Sequence, residues 1–246
     1  MKTMLFVAAM LALPFISSAQ TAEAILQESY ETLGGDNWKN IQSIKYTTVL
    51  EQEGMQIPLE IVQMRDGRMY VKFNYQGMEI VQTAFDGTTL WSTNYLTQKP
   101  EKSPSEDTEN IRRTAKEFPS ALACWKELGY TPSLEGEQDV DGAKCFKIRM
   151  DKKTQLSEGK EVPNVEYYFI DKDSKALIMT EEEIASGEMK GLITQSKLSD
   201  YQEVNGVYVA FSQTEGIKDS YSQTLTFSKV EINAPIDERV FQYTGE

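Results

Sequence analysis

A chain without histidine has few ways to do chemistry. The 246 residues include 38 Asp and Glu, 25 Lys and Arg, and no His. The commonest general base at neutral pH is therefore missing, and with it every Ser-His-Asp or Cys-His arrangement and most zinc or iron sites. There is also no nucleophile elbow of the form Gly-x-Ser-x-Gly. Paired carboxylates can hydrolyse glycosides unaided. Acidic residues are so many and so scattered, however, that some pair must meet by chance, and no spacing singles one out. Residue types thus predict a non-enzymatic protein with no catalytic residue, metal site or cofactor, a carboxylate-based hydrolase being the enzymatic alternative.

Two cysteines, Cys124 and Cys145, stay open to two readings. A disulfide would close a loop of about 20 residues and add roughly 3 kcal/mol in an oxidising compartment. Alternatively they are two small buried hydrophobes, one on a helix and one on a strand.

The compartment is suggested by the first 19 residues. Lys2 precedes an apolar run from Met4 to Ile16, and Ser17 and Ala19 occupy the small-residue positions of a cleavage site, the pattern of a Sec signal peptide. The run falls short of the about 20 residues needed to span a bilayer. No Cys follows the cut to carry a lipid anchor, so a periplasmic, unanchored protein is expected, with residues 20–246 forming one domain. A formal net charge of −13 repels phosphate backbones, which argues against a nucleic-acid partner. A monomer is expected.

Stepping along the chain, residues 21–33 place Ala22, Leu26, Ser29, Tyr30 and Leu33 on one helical face, with Thr21 as cap and Gly34-Gly35 as stop. From Ile44 the period changes to two. Ile44, Tyr46, Thr48 and Leu50 alternate with polar neighbours. Further strands carry Ile57, Leu59 and Ile61, then Met69, Val71 and Phe73, then Met78 and Ile80. Turn signals at Gly54, Asp66-Gly67, Gln76-Gly77 and Asp86-Gly87 make these successive antiparallel hairpins. Trp91, a few residues past the last turn, should sit near one end of a sheet. Residues 99–110 read as a loop, and Ile111 to Gly129 as a helix broken at Phe118-Pro119. Strand patterns resume at Lys144 to Met150, Val165 to Ile170, Ala176 to Glu182, Gly191 to Tyr201, Val207 to Gln213 and Gln223 to Ile232.

About ten or eleven strands in one sheet must curl or close, because twist accumulates strand by strand. A closing sheet with too few inward side chains to fill it encloses a cavity. The inward candidates are Leu50, Ile57, Leu59, Ile61, Met69, Val71, Phe73, Met78 and Ile80. The same alternation also serves an ordinary packed core.

Glu60 to Tyr95 resembles the periplasmic carriers of outer-membrane lipoproteins of the LolA/LolB type. The likeness rests on a strand ending in Met64-Arg65, the aromatic strand from Met69 to Tyr75, and Asp-Gly-Thr-Thr-Leu-Trp at 86–91 followed by Asn94-Tyr95. SDYQEVNGVYVAF at 199–211 and the ending VEINAPIDERVFQY are similar to the last strands of such domains. The chain differs in having Asp66-Gly67 after the Arg and Leu96 after the Tyr, where the family often has Pro.

The resemblance implies a mainly β fold, a half-open antiparallel barrel of about eleven strands with helices covering the mouth. Leu26, Tyr30, Phe118, Leu122 and Trp125 would belong to the lid, and Arg65 would be the latch that bonds lid backbone. The inward candidates and Trp91 would line or border the cavity that holds acyl chains. The implied function is holding lipid or lipoprotein acyl chains, with sorting of lipoproteins to the outer membrane and membrane-associated transfer partners. An envelope interaction or sensor protein on the same fold is the alternative.

Overall fold

The structure is a computed structural model and describes residues 20–52 and 55–245. The expected signal peptide and the Gly54 turn lie outside the described residues.

The chain opens with helix α1 (Ala22–Thr32), where Thr21 accepts a hydrogen bond from Ala24 N at 3.2 Å as the cap. A 3-10 turn, Gly35–Asn40, follows. Five hairpin-linked strands come next: β1 (Ser43–Gln52), β2 (Met55–Met64), β3 (Met69–Tyr75), β4 (Met78–Phe85) and β5 (Leu90–Thr93), with β6 (Pro100–Lys102) behind them. Helices α2 (Ser105–Thr114) and α3 (Ala121–Leu128) then lead into the second half. That half contains β7 (Thr131–Val140), β8 (Ala143–Asp151), the small hairpin β9 (Gln155–Ser157) and β10 (Lys160–Val162), β11 (Val165–Asp171) and β12 (Leu177–Glu183). The long strands β13 (Ile193–Val204) and β14 (Val207–Ile217) and the short β15 (Ser222–Thr226) and β16 (Lys229–Ile232) complete it.

Two antiparallel seven-stranded sheets result. The first runs β16-β1-β2-β3-β4-β5-β6, and the second runs β15-β14-β13-β12-β11-β8-β7. They are joined where one run of sequence changes sheets. Phe227 N bonds Phe211 O of β14 at 2.8 Å, and Ser228 N bonds Thr47 O of β1 at 2.9 Å. The run expected as one strand, Gln223 to Ile232, is therefore two, and this crossover makes a curved, open barrel rather than a closed one.

Among the described residues sixteen strand segments replace the ten or eleven expected. The extra ones are mostly short arms such as β6, β9 and β10, of three residues each, too brief to show a period. The expected loop at 99–110 is also partly regular, since α2 begins at Ser105. Its first turn holds Glu106 and Asp107 and its last turn Arg112 and Arg113, charges that complement the helix dipole.

Helices α1 and α3 pack on one side of the second sheet. Ala22, Ile25 and Leu26 join Ala121 and Leu122 against Phe146, Ile148, Met150, Tyr168 and Ile170. Each such buried aliphatic side chain contributes roughly 1.5–3 kcal/mol. Two glycines permit close approach of this helical layer. A Cβ on Gly34 (φ 120°) would meet Val207 Cα at 2.8 Å, and one on Gly67 (φ 98°) would meet Ala115 Cβ at 2.8 Å.

Candidate functional site

Register places the nine inward candidates of the first sheet on one face. Leu50 pairs with Ile57; Thr48, Leu59, Phe73 and Ile80 form a row; Tyr46, Ile61, Val71 and Thr83 form the next; Met69 lies opposite Phe85, and Tyr75 opposite Met78. The row survives a bulge at Val71/Lys72, which shifts the pairing so that Ile80 stays on this side. This is the face shared with Ile44, which packs against Trp38 and Phe118 of the helical layer, so it is the concave one. Ile57, Leu59 and Ile80 are buried, Leu50, Ile61, Met69, Val71 and Phe73 are half-buried, and Met78 is exposed.

Trp91 is on the other face. Its cross-strand partner is Ala84, whereas Leu90 pairs with Phe85 on the concave side. The convex face holds Val62, Tyr70, Val81, Ala84 and Trp91 beneath the C-terminal segment. The Trp91 indole N–H donates to Phe241 O at 2.8 Å, and the Phe241 ring lies 5.1 Å from that of Tyr70. The expectation that Trp91 borders the cavity is thus not what the geometry shows. Strand parity sends it outward, and a tail some 150 residues further on covers it.

The residues expected in the lid take three positions. Leu26 and Leu122 are fully enclosed against the second sheet, Tyr30 and Trp125 flank that cluster half-buried, and Phe118 belongs to the junction cluster with Trp38 and Ile41. Arg65 immediately follows β2 and ties the helical layer to the first sheet. Its Nε donates to Ile41 O at 2.6 Å, another guanidinium N–H donates to Trp38 O, and the guanidinium stacks 4.9 Å above the Phe118 ring. It thereby touches both the segment after α1 and the link between α2 and α3. Asp66 does not compete for it, being bound to Arg68 at 2.9 Å. Beside this contact a hollow of about 160 Å³ is lined by Gln63, Met69, Ile111 and Phe118.

A larger cavity of about 500 Å³ lies on the second sheet, and none of the ten residues expected to line a cavity lines it. Its wall is built from two cross-strand rows. Glu166, Glu182, Thr194 and Ile217 form one; Thr180, Ser196, Glu215 and Gln223 form the other. Met189, Ile217 and Leu225 supply apolar surface. The signal for this wall was present in β13, ITQSKLSDYQEV, which is polar on both faces and so cannot bury either in a dry core.

Behind the wall is a charged network between the helical link and the sheet. Lys152 Nζ lies 3.2 Å from both Glu117 Oε2 and Glu166 Oε2, with the Lys side chain only 6% exposed. Tyr130 O–H donates to Glu117 at 2.8 Å, and Tyr168 O–H to Glu166 at 2.5 Å. Burial works against the charge on Lys152, but the carboxylates of Glu166, Glu117 and Glu182 outweigh it and hold its pKa above the ordinary lysine value. Burial raises the carboxyls of Glu117 and Glu182 above 4.5, Lys152 opposing it in both.

The cysteines are free and both buried. Cys145 alternates with Phe146 and so points to the convex side, among Val140, Phe169 and Met179. Cys124, on α3, packs on the helical side, its thiol donating to Ser120 O at 3.2 Å. The sheet separates them, which removes the disulfide expectation. Burial pushes the thiols up, to about 12 for Cys124 and about 11 for Cys145.

Among the described residues no helix is long and apolar enough to cross a membrane. No family model and no curated protein matches the sequence. The likeness to known proteins is in three dimensions. A DUF1329 family protein from Desulfovibrio piger aligns over 92% of this chain and 99% of its own, with a TM-score of 0.54 and 13% identity. A LolA superfamily protein from Nitrosomonas europaea aligns over 91% and 98%, with a TM-score of 0.54 and 12% identity. An outer membrane lipoprotein-sorting protein domain from Vibrio parahaemolyticus aligns over 89% and 95%, with a TM-score of 0.52 and 12% identity. The chain has the LolA-like fold, mainly β and half-open.

Proposed function

We propose that this protein is a periplasmic binding protein that holds the acyl chains of lipids or lipoproteins on its concave face and serves lipoprotein sorting toward the outer membrane, without covalent chemistry. The observation that supports it most is the apolar row of the first sheet. Nine in-register side chains share one face, five of them only half-buried, while α1 and α3 spend their own apolar surface on the second sheet. An apolar face left partly open by its own fold suits a hydrocarbon ligand. Two of the structural neighbours are a LolA superfamily protein and a lipoprotein-sorting domain, which agrees with this reading.

A chain of about 16 carbons would gain roughly 0.8 kcal/mol per methylene, on the order of 12 kcal/mol before ordering costs. A carrier must offset part of that to release its load. The Arg65 contacts supply the means, because they hold Trp38, Ile41 and Phe118 at one end of that face, where a bound chain competes with them. Native mass spectrometry of the protein purified from envelope extract tests the reading. Lipid adducts are expected; a chain that carries none and also takes up no fluorescent acyl probe would remove it.

One observation favours the hydrolase alternative: Glu166 and Glu182 are direct cross-strand partners in the cavity wall. Glu166 is engaged by Lys152 and Tyr168, however, which leaves only Glu182 uncommitted. Turnover of nitrophenyl glycosides that disappears in Glu182→Gln would establish that reading.

A further inference from the structure

The 500 Å³ cavity on the second sheet has a composition that a purely hydrocarbon ligand would not call for. Among the described residues three carboxylates line it, Glu166, Glu182 and Glu215, and no Lys or Arg does. Lys152, the cation that faces Glu166 and Glu182, sits behind Glu166 and is already shared with Glu117. Of the other basic groups nearby, Lys218 is bound to Glu181 at 2.8 Å and Lys197 to Asp141 at 2.7 Å, and Glu181 points to the opposite face from its neighbour Glu182. Among the described residues Glu215 accepts only from the neutral amide of Gln213, at 2.7 Å. Glu182, half-buried, has no hydrogen bond or ion pair to its carboxylate among the described residues. A carboxylate held partly out of water without a partner is costly unless something completes it. At the same time Ile217 and Leu225 give the cavity an apolar side, and Leu225 continues into the junction cluster where the two sheets meet beside Tyr46 and Ile61. The hollow is therefore anionic at one end and leads into hydrocarbon at the other.

We propose that this cavity receives the positively charged polar end of an amphiphile, a primary amine or quaternary ammonium, placed between Glu182 and Glu215, with the tail running past Ile217 and Leu225 toward the apolar row of the first sheet. The inference rests on the lipid-binding reading and narrows it. The site selects amine-bearing lipids and rejects those whose polar end is a bare phosphate or carboxylate, because such a group would add like charge to a wall that has no cation to receive it. The hydroxyls of Thr180, Thr194 and Ser196 complete the polar lining as hydrogen-bond partners for a neutral linker next to the amine.

Three probes with the same tail test this: dodecyltrimethylammonium, dodecyl maltoside and dodecyl phosphate, each titrated below its micelle concentration into the purified protein by calorimetry. The ammonium probe is expected to bind about tenfold more tightly than the phosphate, with the maltoside between them and the preference shrinking as salt rises. In the double variant Glu182→Gln, Glu215→Gln the ratio should fall below about threefold while maltoside affinity stays unchanged, which shows that the fold and the tail site are intact. Equal or tighter binding of the phosphate, or a preference that survives in the variant, overturns the inference alone. Failure of all three probes to bind overturns the lipid-binding reading and this inference with it.

Discussion

The two seven-stranded sheets match in strand number and antiparallel order, yet their concave faces are opposite in character. The first carries rows of hydrocarbon from Leu50 to Ile80 that the protein covers only in part. The second is hydrocarbon on β8, on most of β11 and at the start of β12, where α1 and α3 cover it, and turns acidic and hydroxylic at the rows of Glu166 and Glu182 and of Thr180, Ser196 and Glu215, where they do not. Within the second sheet, apolar surface and helical cover coincide, which is what folding alone would select. In the first sheet they do not, and that mismatch is the reason to look for a ligand.

The largest effect is expected at the network that anchors the helical link to the second sheet. Lys152→Met leaves Glu117 and Glu166 enclosed without their cation, and a loss of about 3–5 kcal/mol is expected in urea unfolding at pH 7. Next come the apolar positions. Ile148→Ala, beneath α1 and α3, should cost about 2–5 kcal/mol with no specific effect on acyl-probe uptake. Val71→Ala, half-buried on the first sheet, should cost under about 1.5 kcal/mol and instead weaken the probe. If both changes act alike on stability and binding, the two faces do not differ in role. Arg65→Leu removes two donors to the carbonyls of Trp38 and Ile41, worth about 1–3 kcal/mol, and should speed probe exchange in stopped-flow measurements.

The smallest effect is the sharpest. The Glu182 carboxyl is raised above 4.5 by burial, with Lys152 opposing and Glu166 and Glu117 reinforcing. Its folded state thus binds a proton more readily than its unfolded state. The contribution to stability is fully present below about pH 4.5 and is lost as pH rises through the folded value. Glu182→Gln should therefore stabilise the protein at pH 7 and leave it unchanged at pH 4, measured as the difference in urea midpoints. A variant less stable at pH 7 would mean that the carboxylate has a partner holding it in place.

Much of the first sheet was legible because a period of two needs no partner to be read: Ile57, Leu59 and Ile61 declare their common face locally, and register keeps it. Trp91 was not, although parity with Leu90 already put it on the other side. What covers it is a segment distant in sequence, and only the fold brings Phe241 over it. The acidic wall was hidden for a similar reason. Glu166, Glu182 and Glu215 are three of 38 acidic residues, and their meeting depends on the register of β11 through β14. The two cysteines show the limit from the other side, since a permissive loop length says nothing about a sheet standing between them.

On the proposed function, hydrocarbon binds on the concave face of the first sheet. Photo-crosslinking with a fatty acid carrying a diazirine near its terminal methyl, followed by peptide mapping, tests it directly. Label is expected at Leu59, Phe73 and Ile80 and their row, and to be displaced by unlabelled fatty acid. Label confined to the convex face around Tyr70 and Val81, or to no saturable position, would contradict it.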